Sequence, residues 1–462
     1  MSASVTSQVI YCGAGKATMK HRNQSFTIIL RYRHMISIGI LSLLTGITFQ
    51  LLIEPGYSSS SNEDDQPSLR DPNLDVQPIV DHGLSSPTSM AFIDENNILV
   101  LEKNSGNVKL VTDGALKADP VFHLEVDNTT LTCCRGLLGI ETLSKNGGNP
   151  DVFLYVTEAS SNNEIDDEEQ EIRNRVYRYQ WNGQSLVNPE MILDLPAEPG
   201  PNHPGGKLKF GLDGYLYTVI GDLNNDGMLQ NFRDGPPPDA SSVILKVNAT
   251  DGTGAVDNPF FNVMEYGSTS QIEKYYAYGI RNSFGLAIDP VNDTLWETEN
   301  GDEDYDEINL VDPGFNSGWE QLMGPMSESD IDITDLVSIP GSHYSNPVLS
   351  FAPSLGLTDI EFLNSSMIGE RYKNNIFVGE INHGNLYFFE LNGTRNGIKL
   401  DSATQSGLED LIANEEELNE IAIGTGFVGI TDIETGPDGL LYILTFDQES
   451  DGDGKIYRIS SK

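Results

Sequence analysis

Residues 200–222 read Gly-Pro-Asn-His-Pro-Gly-Gly-Lys-Leu-Lys-Phe-Gly-Leu-Asp-Gly-Tyr-Leu-Tyr-Thr-Val-Ile-Gly-Asp. From Lys207 the chain alternates polar and apolar side chains, turns at Leu212-Asp213-Gly214, and alternates again through Tyr215, Tyr217 and Val219. That pattern is two short strands joined by a tight polar turn. Immediately before the first strand, on a loop of Pro and Gly, stands His203. A histidine held on a stiff loop at the mouth of a β fold can serve as a base near neutral pH. The plain alternative is a solvated loop residue.

The strand–turn–strand unit recurs. Gly429-Ile-Thr-Asp-Ile-Glu-Thr-Gly-Pro-Asp-Gly-Leu-Leu-Tyr-Ile-Leu-Thr-Phe446 has the same shape, as does Pro87-Thr-Ser-Met-Ala-Phe-Ile-Asp-Glu-Asn-Asn-Ile-Leu-Val-Leu-Glu102. Six such units begin near Thr88, Gly136, Gly205, Gly285, Thr358 and Gly429. Most supply two strands, and the clearest add a third led by Gly or Asn. Six irregular repeats of short antiparallel strands predict an all-β fold, a six-bladed β-propeller over residues 75–462. A pair of β-sandwiches would not need the same unit six times. Spacings of about 50–80 residues exceed those of compact propeller repeats, so long loops must decorate one face. The best helix-period stretch, Leu408 to Leu418, predicts a short surface helix.

The N-terminus reads differently. Met35 to Ile53 is an uncharged run of 19 residues, preceded by Lys16, Lys20, Arg22, Arg31 and Arg33, with no acid before Glu54. Its length just suffices to span a bilayer. The basic flank places residues 1–34 in the cytoplasm and sends the remainder outward. The run is also compatible with a cleaved signal peptide. The expected localisation is therefore the cell membrane, single-pass with the propeller outside, or secretion if the segment is cleaved. Residues 54–74, rich in Ser, Asn, Asp and Pro, read as a flexible linker.

The formal net charge is −42, and all 69 acids follow residue 53. Such a surface repels nucleic acid and anionic lipid and favours calcium. Membrane contact is then expected through the N-terminal segment only. Asn-x-Ser/Thr sequons occur at Asn23, Asn128, Asn248, Asn292, Asn364 and Asn392, which permits glycosylation outside the cell. Three cysteines exclude a disulfide framework. Cys12 is cytoplasmic in this topology. Cys133 and Cys134 could form a vicinal disulfide, bridge two chains, or remain buried thiols.

A second stretch carries chemistry. Residues 275–290 read Tyr-Tyr-Ala-Tyr-Gly-Ile-Arg-Asn-Ser-Phe-Gly-Leu-Ala-Ile-Asp-Pro, and the chain continues through Leu-Trp-Glu-Thr-Glu-Asn-Gly-Asp-Glu-Asp-Tyr-Asp-Glu-Ile-Asn-Leu-Val to Asn316-Ser-Gly-Trp319. Arg281 and Asn282 precede the first strand of their unit, as His203 precedes its own. All three are therefore expected on one face. Arg281 offers a planar fork for a carboxylate, and Asn282 offers both a donor and an acceptor. The acid-rich Asn300–Glu307 segment follows a strand and suits a hard cation bound through oxygen. A surface turn and a solvated acidic loop are the plain alternatives.

Over roughly residues 80–460 these stretches resemble the glucose/sorbosone dehydrogenase family, sugar dehydrogenases that use pyrroloquinoline quinone (PQQ) and calcium on a six-bladed propeller. The ordered blocks His203-Pro-Gly-Gly-Lys-Leu208, Gly279-Ile-Arg-Asn282 and Asp306-Glu-Ile-Asn-Leu310 carry the resemblance. It implies that His203 is the general base and that Arg281 and Asn282 contact the quinone. It implies that Gly301 and Asp302 hold calcium through backbone carbonyls; the acid-rich segment read above adds Glu307 as a candidate metal ligand. It places Cys134 at a substrate-pocket position. The implied partners are an aldose sugar and an external electron acceptor.

The sequence departs from the family at three cofactor positions. Asn382 stands where the family has a lysine, and Gly429 and Thr431 stand where it has two arginines. Each charge-assisted hydrogen bond so lost is worth about 1.5–3 kcal/mol toward a tricarboxylate. His383 and Lys207 are nearby candidates to compensate. The expected function is an exported PQQ- and calcium-dependent dehydrogenase that oxidises the anomeric carbon of an aldose. The alternatives are a non-catalytic propeller that binds glycan or protein, and a calcium-dependent lactonase.

Gly424-Thr-Gly-Phe-Val-Gly429 matches G-x-G-x-x-G, but a strand pattern follows it, which excludes a dinucleotide fingerprint. Asp222-Leu-Asn-Asn-Asp-Gly227 resembles the start of an EF-hand loop but has Arg233 at the twelfth position, so it reads as an Asn/Asp turn.

Overall fold

The computed structural model describes residues 66–127, 134–145, 147–159, 171–263, 271–400, 408, 410–447 and 452–462. The basic N-terminus, the apolar run 35–53, Cys12 and Cys133 lie outside the described residues. Among the described residues no helix is long and apolar enough to cross a membrane.

Hydrogen bonding sorts the strands into six sheets of four to six strands. Their innermost strands are Pro87–Phe92, Leu137–Lys145, Leu208–Phe210, Ser283–Ile288, Leu357–Phe362 and Ile430–Thr435. Each starts within a few residues of a repeat read from the sequence. Each inner strand packs on the next, and Ile430–Thr435 packs on Pro87–Phe92, which closes the ring. The fold is an all-β propeller.

Apolar side chains fill the space between neighbouring sheets. Leu99, Leu101 and Val108 of one sheet meet Leu137, Ile140, Leu154 and Val156 of the next. A middle strand is covered on both faces, so Val152 through Val156 are all buried rather than alternating. Burial of each large apolar side chain contributes about 1.5–3 kcal/mol. The ring is sealed by chain ends far apart in sequence. Leu74–Leu84 runs antiparallel to Gly454–Ser461, from Leu74 opposite Ser461 to Leu84 opposite Gly454. Ser68–Leu69, inside the stretch read as linker, pairs with Ala422–Thr425.

The helix falls later than the periodicity suggested. Ile412–Asn414 is a strand, and the helix spans Glu415–Ile421. Asn414 caps it by accepting from the backbone of Glu416 and Glu417, and the Glu417 side chain accepts from the Asn414 N–H. This reciprocal cap fixes the helix start and overrides the apolar pattern upstream.

The inner strands turn charged residues toward the ring axis. Lys207 Nζ lies 2.8 Å from Asp359 Oδ2 and 2.5 Å from Asp432 Oδ1, although the three residues belong to three different sheets. Below it, Lys209 Nζ lies 3.2 Å from Glu361 Oε2 and 3.5 Å from Glu434 Oε2. Burial alone would lower the Lys207 pKa, but Asp359, Asp432 and Glu434 outweigh it and keep the ammonium charged. Burial, with Asp432 adding to it, pushes Asp359 up to about 8 against the pull of Lys207.

Candidate active site

Inner strands begin, and second strands end, at the same edge of the ring. His203 precedes Leu208–Phe210, and Arg281 and Asn282 precede Ser283–Ile288. Gly221 and Asp222 follow the strand Leu216–Ile220 and return to that edge. Backbone hydrogen bonds bind these segments together. Gly221 N–H donates to His203 O at 3.1 Å, and Asp222 N–H donates to Arg281 O at 2.8 Å. A Cβ on Gly221 would lie 2.3 Å from Arg281 O and 2.6 Å from His203 O, so only glycine lets the two loops close on one strand end.

His203 is buried and adopts a left-handed backbone conformation, φ +59°. The loop after it is pinned by Tyr155 Oη, which donates to Pro204 O at 2.7 Å. The imidazole Nδ1 lies 2.7 Å from Asp222 Oδ1. A carboxylate only accepts, so Nδ1 carries the proton and Nε2 is left as the acceptor. Asp222 Oδ1 also accepts from the Asn224 N–H at 2.8 Å, and Asp222 Oδ2 accepts from Trp319 Nε1 at 2.8 Å.

Arg281 is 2% exposed, and a buried guanidinium is costly unless it is paired. Its Nη1 donates to Asn300 O and its Nη2 to Asp302 Oδ1, both at 3.0 Å. Its plane lies over the Trp319 ring, 5.0 Å from the centroid. Its backbone N–H donates to Glu299 Oε1 at 2.6 Å, and Ser317 Oγ donates to Glu299 Oε2 at 2.5 Å. Burial, then the neighbouring Glu297 and Glu307, raises Glu299 well above the usual carboxylate range.

Asn282 and Asn300 lie side by side. Asn300 N–H donates to Asn282 O at 2.8 Å, and Asn300 Nδ2 donates to Leu357 O at 2.8 Å. Three buried polar atoms here have no protein partner: Arg281 Nε, Asn282 Oδ1 and Asn300 Oδ1.

His203, Arg281, Asn282, Gly301 and Asp302 are thus brought together. Gly301 N–H donates to Asp306 Oδ1 at 2.9 Å, while Asp306 Oδ2 accepts from the backbone of Leu355, Gly356 and Leu357. Glu307 faces the other side of its strand. Its carboxylate accepts from Gly324 N–H at 2.6 Å and Asn309 Nδ2 at 2.9 Å, and burial pushes it up to about 7. The acid that supports Gly301 is therefore Asp306, and strand alternation is the reason. Among the described residues, no group of three or more His, Cys, Asp or Glu could hold a metal ion.

Asn382 reaches the site indirectly. Its Nδ2 donates to Leu355 O at 2.7 Å, in the turn whose Leu357 carbonyl takes Asn300. Thr431 Oγ1 donates to Leu444 O of its own sheet at 3.4 Å, and no hydrogen bond joins it to His203 or Arg281. Lys207 is committed to Asp359 and Asp432, and His383 Nδ1 lies 3.6 Å from Glu380. Cys134 is buried beside the His203 backbone, and burial pushes its thiol up.

Asp222 and Trp319 were not singled out from the sequence. Asp222 was visible only as the first residue of a polar turn, and Trp319 as the end of Asn-Ser-Gly-Trp. Their signal was position: each follows a strand that ends near this edge.

The fold and the site define a propeller with a histidine–carboxylate pair and a buried arginine at one mouth. A sequence model of the Glucose / Sorbosone dehydrogenase family matches residues 84–458, and the chain belongs to that family of oxidoreductases. It is 27% identical over 274 residues to Aldose sugar dehydrogenase YliI of Escherichia coli, covering 59% of this chain and 64% of that one. It is 27% identical over 315 residues to Quinoprotein glucose dehydrogenase B of Acinetobacter calcoaceticus, covering 64% of this chain and 62% of that one. The match thus spans under two thirds of either enzyme. The crystal structure of a Thermus thermophilus oxidoreductase described as a glucose dehydrogenase superposes with a TM-score of 0.63 at 24% identity, covering 84% of this chain and 99% of that one, which supports the fold.

Proposed function

We propose that the protein is a sugar dehydrogenase that oxidises an aldose at its anomeric carbon, with PQQ and calcium as cofactors and an external electron acceptor. The observation that carries this reading is the buried His203, whose Nδ1 is engaged by Asp222 at 2.7 Å so that Nε2 is the free acceptor. Each of the six sheets is read as one blade, with the mouth above the ring axis as the substrate site.

The residues present fit the cofactors. Leaving buried polar atoms unpaired costs about 1–3 kcal/mol each. Three of them at one mouth are a reason to expect a polar ligand there. Arg281 Nε and Asn282 Oδ1 would hold the quinone, and the Gly301 and Asp302 carbonyls with Asn300 Oδ1 would hold calcium. When bound, PQQ supplies the two-electron acceptor for the hydrogen of the sugar C–H bond, and calcium supplies Lewis acidity at its carbonyl.

His203 Nε2 takes the proton of the anomeric hydroxyl as that bond is oxidised, and the sugar leaves as its lactone. Asp222 holds the imidazole in the right tautomer and stabilises the imidazolium that forms. Arg281, buried and fixed by Asn300, Asp302 and Trp319, keeps positive charge at the mouth with little reorganisation.

Export follows from the basic flank and uncharged run before Glu54, with the propeller outside the cell and membrane contact through that segment alone. A binding role for the same mouth is the second reading. It is favoured by Asn382 and Thr431, which are neutral and hydrogen-bonded to backbone carbonyls. The test is to add PQQ and calcium to the purified protein and follow dye reduction with a panel of aldoses. Cofactor-dependent turnover is expected. Quinone binding without turnover on any aldose would favour the binding role.

A further inference from the structure

We propose that Trp319 is a positioning residue that holds the base and the guanidinium of the site in one geometry. The inference rests on reading His203 as the base. Asp222 uses one carboxylate oxygen for the imidazole and turns the other to the indole N–H, at 2.7 and 2.8 Å. An indole N–H only donates and does not ionise near neutral pH, so it fixes the carboxylate without competing for the proton. The face of the same ring lies under Arg281, 5.0 Å from its guanidinium. The base and the cation arise from different loops, and this one side chain touches the orienting partner of the first and the plane of the second.

Trp319 is itself anchored from outside the site. Its backbone N–H donates to Gly279 O at 3.2 Å, and its backbone carbonyl accepts from Asn231 Nδ2 at 2.7 Å. Asn231 and Asn316 exchange amide hydrogen bonds at 3.0 and 2.9 Å, so the anchor is hydrogen-bonded within the chain itself. The charged and titratable groups facing this assembly are His203, Asp222, Arg281, Asp302 and Glu299, with Cys134 behind the His203 backbone. Ring packing alone would not require the indole nitrogen to meet Asp222, and this separates a positioning role from a structural one.

The experiment has two arms, both in the full-length protein. In the first, tryptophan is labelled with nitrogen-15, which gives three indole signals. Trp319 is half-buried whereas Trp181 and Trp296 are buried, so a soluble paramagnetic agent picks out its signal. His203→Gln changes the other partner of Asp222, and the Trp319 signal is expected to move while those of Trp181 and Trp296 stay. An unmoved signal overturns the proposal. This arm needs neither cofactor nor turnover. In the second arm, Trp319→Phe keeps a ring under Arg281 and removes the N–H. The kcat with an aldose is expected to fall about tenfold to a hundredfold, as when a group that orients a ligating side chain is removed. KM is expected to stay within about twofold, since no ground-state sugar contact is lost. An unchanged kcat, or a raised KM at constant kcat, overturns the proposal and makes the ring a surface for the sugar instead. Absence of turnover in the unaltered protein removes the dehydrogenase reading and leaves the first arm to decide the bridge.

Discussion

On the side of the mouth built from residues 203–319, Arg281 Nε, Asn282 Oδ1 and Asn300 Oδ1 are buried without protein partners. On the side built from residues 355–445, Asn382 and Thr431 spend their side chains on the Leu355 and Leu444 carbonyls. The first side carries three unpartnered polar atoms that a polar ligand would satisfy. On the second, the side chains at both positions are already hydrogen-bonded to the chain, and the unpartnered atom is Asp359 Oδ1 at the ring axis. Binding energy and chemistry should therefore concentrate on the first side, with the second acting as a wall.

The largest expected effect lies on the first side. His203→Gln removes the acceptor and should lower turnover by about 10²–10⁴-fold, since that is what a positioned base contributes. Quinone binding, followed by fluorescence quenching, should be retained. Retained turnover would break the comparison, because the prepared side would then not be the catalytic one.

A nearly equal effect, on stability, is expected from the ring axis that separates the two sides. Lys207→Met leaves Asp359 and Asp432 buried without their ammonium, and breaking a buried pair this way costs about 3–5 kcal/mol. Urea unfolding should show the loss. A shift of under about 1 kcal/mol would mean that the acids take up protons and need no cation.

The second side can be sharpened by restoring charge to it. Asn382→Lys should tighten the binding of a tricarboxylate quinone by roughly 10- to 150-fold, the equivalent of one charge-assisted bond of about 1.5–3 kcal/mol. Titration calorimetry measures it. No gain would place the anionic end of the ligand away from Asn382.

The smallest effect is a pH dependence of stability. Burial first, and then Asp432, lifts Asp359 to about 8 in the folded protein, above its ordinary carboxylate value of 3.8. Between those limits the folded state binds more protons than the unfolded one, so stability falls as pH rises and levels off above about 8. The urea midpoint should be lower at pH 8 than at pH 5, and Asp359→Asn should flatten that slope. An equal slope in the variant would assign the effect to other buried acids such as Glu434, which burial also raises.

Much of this was legible in the sequence because it is local. The alternation from Lys207 to Val219 and the turn at Asp213-Gly214 mark a hairpin whatever surrounds it, and the six repeat starts fall on the six inner strands. His203, Arg281 and Asn282 each lie just ahead of one of those strands, so their common edge followed from order along the chain. Glu307 shows the limit. It sits one residue from Asp306, and strand alternation turns the two carboxylates to opposite faces, which a run of acids does not reveal. The helix at Glu415 was displaced for a similar reason, since the cap at Asn414 outweighs an apolar pattern that extends beyond it.

By itself the sequence determined the fold class, the family and the residues that precede each inner strand, because periodicity and turn chemistry act over a few neighbouring positions. Only the tertiary structure decided which groups meet. Lys207 finds Asp359 and Asp432 across the ring axis, and Asp222 finds both His203 and Trp319. Those partners lie on different sheets or distant loops, and the closure of the ring sets their spacing. A buried charge or polar atom must find a partner wherever the packed core places one, and no local pattern in the chain encodes that address.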